Sequence, residues 1–249
     1  MADRPRRAPP GDASRDAAGC TVAILARAPV PGIAKTRLVP RLGRDGAAAI
    51  HELLLCRTVR SALASGVGPV TVWCDPHRGH PALERLRELG PVALRDQPPG
   101  DLGDRIHAAL CDQLAAGDPA VLVGADCPGL GPAGFKAARD ALREGADAVL
   151  APAEDGGYGL VGLRRPEATL FAAMPWGSAA VMGETRRRLR GLGLRWVELA
   201  AVRDVDLPAD LGWLAGAGIL EPDELALLRT LLEQGLRTPS GAAPRRVGD

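Results

Sequence analysis

The chain reads as an α/β protein built on a mostly parallel sheet with helices on both faces. Three observations predict this. Apolar runs of four to seven residues alternate with stretches of helical period along most of the sequence. The runs stop abruptly at turns rich in Pro and Gly. The alternation breaks once, at 147–163, where two apolar runs are separated only by a short acidic, Gly-rich segment, with no room for a helix.

Taken in order, strands are predicted at 21–26, 69–74, 91–94, 120–124, 147–151, 158–163 and 194–198. Helices are predicted at about 45–65, 81–89, 103–116, 133–144, 178–190, 208–216 and 222–235. Ile106, Leu110 and Leu114 recur every fourth residue; Phe135, Ala138 and Leu142 follow i, i+3, i+7, as do Leu225, Leu228 and Leu232. Pro132 and Pro222 suit first-turn positions. Ser178 is a candidate cap for the helix after it. The strand–loop–strand order at 147–163 implies a strand that joins the sheet in a different sense from its neighbours. There is no internal repeat and no linker. One domain over 20–236 is expected, with disordered tails at 1–19 and 237–249.

A chain of 249 residues with 46% hydrophobic content supports a large single core. A net charge of +1 gives no electrostatic reason to bind nucleic acid or an anionic membrane, and 3% aromatics leave few platforms for stacking bases. No apolar run approaches the ~18 residues of a membrane span. The Arg/Pro/Ala-rich amino end lacks the apolar region of a signal peptide, so a cytoplasmic location is expected. Five cysteines, none spaced as CxxC, read as free thiols. His77 and His80 beside Asp75 have metal-like spacing, but their Pro/Gly-rich setting reads as a structural loop.

The most informative stretch is 21–43. A buried strand feeds a Pro/Gly turn, and Lys35, Thr36 and Arg37 follow together. A cationic loop at the carboxyl end of a strand is where an α/β protein binds phosphates. The segment lacks the glycine before lysine that a Walker A loop requires. What remains is Arg27, Lys35 and Arg37 around a turn at Gly32, with the backbone amides of 32–36 free to face an anion.

Further along, 121–130 places Asp126 directly after an apolar strand ending in Gly124. An acid there can hold Mg²⁺ against phosphate oxygens, or serve as a cap or Asx-turn. Asp204, Asp206 and Asp210 crowd the turn before a helix. Capping explains them, and a second carboxylate on the same metal explains Asp206. In 97–106, Gly100, Asp101, Gly103 and Arg105 precede an amphipathic helix; backbone there could read a base edge and Arg105 could reach a phosphate. Glu154, Asp155, Gly156, Gly157 and Tyr158 occupy one turn, where a type I′-like turn explains Asp155-Gly156 alone and leaves the acids and the tyrosine for an acceptor. Trp176 precedes a helix whose Arg186, Arg187, Arg188 and Arg190 read as a solvated face. No Ser/His/Asp or Cys/His nucleophile set is evident.

Together, Arg27-to-Leu38, Gly100-to-Arg105, Gly124-to-Pro128, Asp155-to-Leu163, Trp176 and Asp204-to-Leu211 resemble, in order, the motifs of the GT-A (nucleotide-diphospho-sugar transferase-like) superfamily. The match is to a bacterial branch assigned to glycosyl transfer, and it spans about residues 20–215. The first and last motifs are also similar to 2-phospholactate guanylyltransferase and CMP-deoxyoctulosonate synthetase. The resemblance implies a three-layer α/β/α fold with a mostly parallel mixed sheet of GT-A type. It implies Lys35 and Arg37 as catalytic phosphate contacts, and Ala26, Arg27, Gly32, Thr36, Gly100, Asp101, Gly103, Arg105 and Gly124 as nucleotide-binding positions. Asp126 and Asp206 fall on the metal positions, for Mg²⁺ or Mn²⁺. Asp155 is the candidate base, and Glu154, Gly156, Gly157, Tyr158 and Trp176 are candidate acceptor contacts. Arg27 stands where lysine is usual.

The expected function is therefore a Mg²⁺-dependent nucleotide-utilising transferase. Nucleotidyl transfer from an NTP to a small anionic acceptor is the leading version, because a cationic loop suits a triphosphate. Glycosyl transfer from a nucleotide-diphospho-sugar is the alternative, and a non-catalytic nucleotide sensor a third. The expected partners are a nucleotide and a small-molecule acceptor, with a homodimer compatible.

Overall fold

The computed structural model describes residues 19–237. Apart from Gly19 and Arg237, the tails expected at 1–19 and 237–249 lie outside the described residues. Seven strands form one sheet: β1 (Thr21–Arg27), β2 (Val70–Asp75), β3 (Val92–Asp96), β4 (Ala120–Gly124), β5 (Ala148–Pro152), β6 (Tyr158–Leu163) and β7 (Trp196–Glu198). Their order is β3-β2-β1-β4-β6-β5-β7. All pairings are parallel except those of β6, which runs antiparallel to both β4 and β5. The break in rhythm at 147–163 is therefore the reversed strand.

Alternate residues of each strand feed two cores. Val22, Ile24, Val72, Val121 and Val123 meet Leu55, Val59 and Ala62 of α1 (Val39–Ser65) and Phe135, Ala138 and Leu142 of α4 (Pro132–Arg143). On the other face Ala23, Leu122, Leu150 and Val161 meet Ile106, Ala109 and Leu110 of α3 (Leu102–Leu114) and Met182 and Leu189 of α5 (Val181–Gly191). That is the three-layer arrangement. A third cluster joins Leu38, Ile50 and Leu54 to α6 (Pro208–Gly216) and α7 (Pro222–Arg237) through Leu211, Leu214 and Leu228.

Helix boundaries depart from the expectations for local reasons. α1 begins at Val39, and a non-helical Gly43 (φ 72°) kinks it, so the regular periodicity starts only after the kink. The segment predicted as one helix at 81–89 is a short α2 (Pro81–Glu84) followed by a 3₁₀ stretch, Arg85–Leu89. His80 caps α2 by accepting the Ala82 amide on Nδ1, which accounts for it without a metal. Ser178 does not cap α5; its hydroxyl donates to the Pro175 carbonyl (2.7 Å) and accepts the Ala180 amide, closing a turn ahead of the helix. The Asp155-Gly156 turn is not type I′, since only Gly156 has a positive φ (92°).

The chain leaves β1 toward β2 on one side, while β4 flanks β1 on the other. This is a topological switch point, and the space above it is where open α/β sheets bind ligands. Because β6 is reversed, its first residue, Tyr158, lies at the same edge as the carboxyl tips of β1, β2, β4 and β5.

Candidate functional site

A cavity of about 830 Å³ opens above those tips. Of the residues singled out from sequence, Arg27, Lys35, Thr36, Arg37, Gly100, Arg105, Gly124, Asp126, Asp155, Gly157, Tyr158, Trp176 and Asp206 line it. Leu25, His51, Asp75, Gln97 and Asp204 join them.

The crest of the cavity is an ion-pair network. Lys35 is one of two described non-glycine residues with positive φ (48°). That left-handed backbone is unfavourable for a branched-off side chain and is tolerated where function or packing demands it. It turns the side chain inward until only 5% is exposed. The ammonium lies 3.0 Å from Asp126 Oδ1 and 3.8 Å from Asp206 Oδ1. Arg37 donates to Asp206 Oδ2 at 2.7 Å. Arg27 Nε donates to Asp75 Oδ2 at 3.1 Å. Every cation of the loop is thus paired with a carboxylate from elsewhere in the chain. Around the cavity, four cations (Arg27, Lys35, Arg37, Arg105) face five aspartates (Asp75, Asp126, Asp155, Asp204, Asp206). The loop is not the excess of positive charge that its sequence suggests.

His51, on α1, gave no sequence signal. It is buried, and its Nε2 bonds the Arg27 carbonyl at 2.9 Å. Burial, opposed by the nearby Asp126 charge, lowers its pKa, so the ring is neutral and Nε2 carries the proton. Nδ1 then presents a lone pair 3.9 Å from Asp126 Oδ1, and neither atom has a directional hydrogen bond. Two acceptors facing each other beside a lysine form a place for a cation or a donor. Asp204 has its carboxyl pushed up by burial, with Asp155 and Asp206 adding like charge. The Cys127 thiol is pushed up to about 12, chiefly by burial, which removes it as a nucleophile.

Elsewhere on the lining, Gln97 donates to the Trp73 carbonyl (2.9 Å) and the Ala26 carbonyl (3.2 Å) and accepts Arg105 Nη1 (3.2 Å). These bonds hold Arg105 against the cavity.

Six positions expected at the site lie outside its lining. Ala26 is fully buried and its carbonyl is taken by Gln97. Gly32 forms the turn (φ 79°) under the Arg44 side chain. Asp101 caps α3 in a reciprocal capping box with Asp104, an arrangement worth about 1 kcal/mol. Gly103 lies where a Cβ would strike the Phe171 carbonyl. Gly156 lies where an added Cβ would come within 2.5 Å of the Ala179 backbone. Glu154 turns outward, toward Arg203 at 3.8 Å. The amides of 32–36 are not all free either, since Ile33 and Ala34 both donate to the Val30 carbonyl. Of the α5 arginines, Arg186 pairs with Glu198 and Arg187 with Glu184 on the exposed face, whereas Arg188 is not part of a solvated face: it is largely buried, pairs with Glu184 and donates to the Thr169, Ala172 and Ala173 carbonyls.

Asp126 and Asp206 supply hard oxygen donors from two loops to one point. Among the described residues no group of three His, Cys, Asp or Glu is assembled to hold an ion unaided. Two carboxylates suit Mg²⁺ or Mn²⁺ when phosphate oxygens and water complete the shell. The residues therefore fit a metal that arrives with a nucleotide.

No curated protein sequence matches the chain. Among solved structures it is similar to a "putative nucleotide-diphospho-sugar transferase" from Desulfovibrio desulfuricans G20, at 28% identity over 87% of this chain and 97% of that one, with a TM-score of 0.77. A cytidylyltransferase from Leptospira borgpetersenii serovar Hardjo-bovis (strain JB197) shares 14% identity over 88% and 95%, TM-score 0.54. A CMP-2-keto-3-deoxy-manno-octonic acid synthetase complexed with CTP shares 16% over 79% and 96%, TM-score 0.50. The chain therefore has the GT-A (nucleotide-diphospho-sugar transferase-like) fold that its motifs resemble, and residues 58–178 match the family model described as "Uncharacterized protein conserved in bacteria (DUF2064)".

Proposed function

We propose that this protein is a metal-assisted glycosyltransferase that takes its sugar from a nucleotide-diphospho-sugar. The observation that carries the nucleotide site is the enclosed Lys35 ammonium between Asp126 and Asp206, at the switch point of the sheet. Two considerations favour glycosyl over nucleotidyl transfer. The loop cations are offset by carboxylates, which removes the reason to prefer a triphosphate. The 28%-identical relative is named for nucleotide-diphospho-sugar transfer.

Asp126 and Asp206 would hold a divalent metal, which would supply positive charge against the diphosphate. As the diphosphate enters, Lys35 and Arg37 exchange their carboxylate partners for phosphate oxygens and oppose the negative charge that develops on the leaving group. Arg105, held by Gln97, lies on the nucleoside side. The acceptor hydroxyl oxygen attacks the anomeric carbon, and the bond from that carbon to the phosphate oxygen breaks. Its electron pair leaves with the nucleoside diphosphate, and the acceptor proton passes to Asp155. Asp155 is oriented for this by accepting the Gly157 amide at 2.8 Å. Positioning and electrostatics carry such a reaction, with no covalent nucleophile required.

Incubation with panels of nucleotide sugars and NTPs, with Mg²⁺ or Mn²⁺, tests the reading. Nucleoside diphosphate released from one nucleotide sugar is the expected result. Pyrophosphate released from an NTP would replace it with nucleotidyl transfer. Binding without either product would leave a nucleotide sensor.

A further inference from the structure

The cavity does not end at the charged crest. It continues down the α3 face of the sheet, where Leu25, Leu122, Val161 and Ile106 form a hydrocarbon wall. Against this wall stand Tyr158, the only tyrosine of the chain, and Trp176. Their rings meet edge to face with centroids 6.1 Å apart. Tyr158 Oη and Trp176 Nε1 are both covered and both lack a hydrogen-bond partner. A buried donor without a partner is costly, and native structures rarely leave two in one place. Burial pushes the Tyr158 phenol well up, so it remains a donor at any physiological pH.

Asp155 and Asp204 line the same cavity. The two nearby cations are committed. Arg105 donates to the Gly100 carbonyl and to Gln97 Oε1, and lies 3.8 Å from Asp75. Arg188, whose charge reaches Tyr158, is bonded to the carbonyls of Thr169, Ala172 and Ala173 and to Glu184. An anion placed here would lose its water and gain no countercharge. A neutral oxygen accepting from Tyr158 Oη or Trp176 Nε1, attached to a body that covers the rings and the leucines, would satisfy the orphan donors without that penalty.

We propose that this hollow is the acceptor subsite and that it selects an uncharged hydroxyl compound on an apolar or ring-shaped body, not the phosphate or carboxylate acceptor that the sequence suggests. Its role as acceptor subsite rests on the transferase reading; the ligand chemistry rests on the hollow alone. Asp155, which lines the same cavity, is then available to take the hydroxyl proton.

The test uses matched probes that differ in charge: benzyl alcohol against benzoate, and cyclohexanemethanol against cyclohexanecarboxylate. Binding to the full chain is followed by saturation-transfer NMR, without turnover. The alcohols are expected to bind at least several-fold more strongly than the carboxylates. Tyr158→Phe should weaken alcohol binding while melting no lower than the parent, since it removes only an unpaired buried hydroxyl; Trp176→Phe, which also removes ring volume, should weaken alcohol binding too. Equal or stronger carboxylate binding, no binding of either alcohol, or indifference to both variants would overturn the proposal. A second arm repeats the titration with the nucleotide sugar that gives the largest thermal shift. Simultaneous binding supports an acceptor subsite, and competition assigns the hollow to the donor's own sugar instead. If no nucleotide sugar binds, the transferase reading fails, while the probe titration still decides the hollow's chemistry.

Discussion

Two sets of ion pairs in this molecule look alike on paper and are built for opposite purposes. At the crest, Arg37 and Lys35 meet Asp206 and Asp126 across long stretches of sequence, inside a cavity that a ligand can enter. In the scaffold, Arg187 and Arg188 meet Glu184 one helical turn away, and Arg57 meets a buried Glu224 where α7 crosses α1. Scaffold pairs have no competitor, so they persist whatever is bound. Crest pairs hold cations and carboxylates in register until a metal and a diphosphate, better partners for each, replace them. Pairing by itself does not reveal function; the presence of space beside the pair does.

The largest effect on stability should come from the scaffold. Glu224→Ala leaves Arg57, whose side chain is only 15% exposed, without its partner. The expected loss is about 3–5 kcal/mol in denaturant unfolding, with nucleotide affinity unchanged in the fraction that remains folded. At the crest the balance reverses. Arg37→Ala should leave the melting temperature nearly constant and weaken nucleoside diphosphate binding roughly five- to tenfold, ~1–1.4 kcal/mol; calorimetric titration reads it.

Acid separates the two sets more gently. Glu198 has its pKa pulled down to about 2 by the hydrogen bond from Arg186, opposed by partial burial. Its folded pKa lies below its unfolded value. The stability it contributes is complete above the ordinary glutamate range near 4.5 and is lost as pH falls toward 2. Glu198→Gln should remove that part of the acid dependence between those limits in pH-resolved melts. The smallest effect belongs to Arg187→Ala, on an exposed pair. It should change neither nucleotide affinity nor melting temperature measurably.

The sheet was readable because parallel strands buried on both faces appear as unbroken apolar runs. Each predicted strand lies within two residues of the observed one. Asp126 was readable because it follows a strand end directly, Lys35 and Arg37 because they share a Pro/Gly-rich loop after β1, and Asp206 because it falls in a motif that resembles a metal position. His51 was not, because a lone histidine inside a helix carries no pattern, and its role comes from packing Nε2 onto the Arg27 carbonyl. Gly103 and Gly156 fall on ligand positions only through the motif resemblance. In the fold both are closely approached, but by the Phe171 carbonyl and the Ala179 backbone. Charge balance misled for a related reason. Sequence shows three cations in one loop and cannot show the aspartates that fold onto them.

The central claim is that Asp126 and Asp206 trade Lys35 for a divalent ion when a nucleotide binds. Calorimetric titration of a panel of nucleoside diphosphates, with and without Mg²⁺, tests it on the wild-type chain and on Asp126→Asn. The account predicts that Mg²⁺ tightens binding by more than about tenfold in the wild type and has no such effect in the variant. Equal Mg²⁺ dependence in both would contradict it.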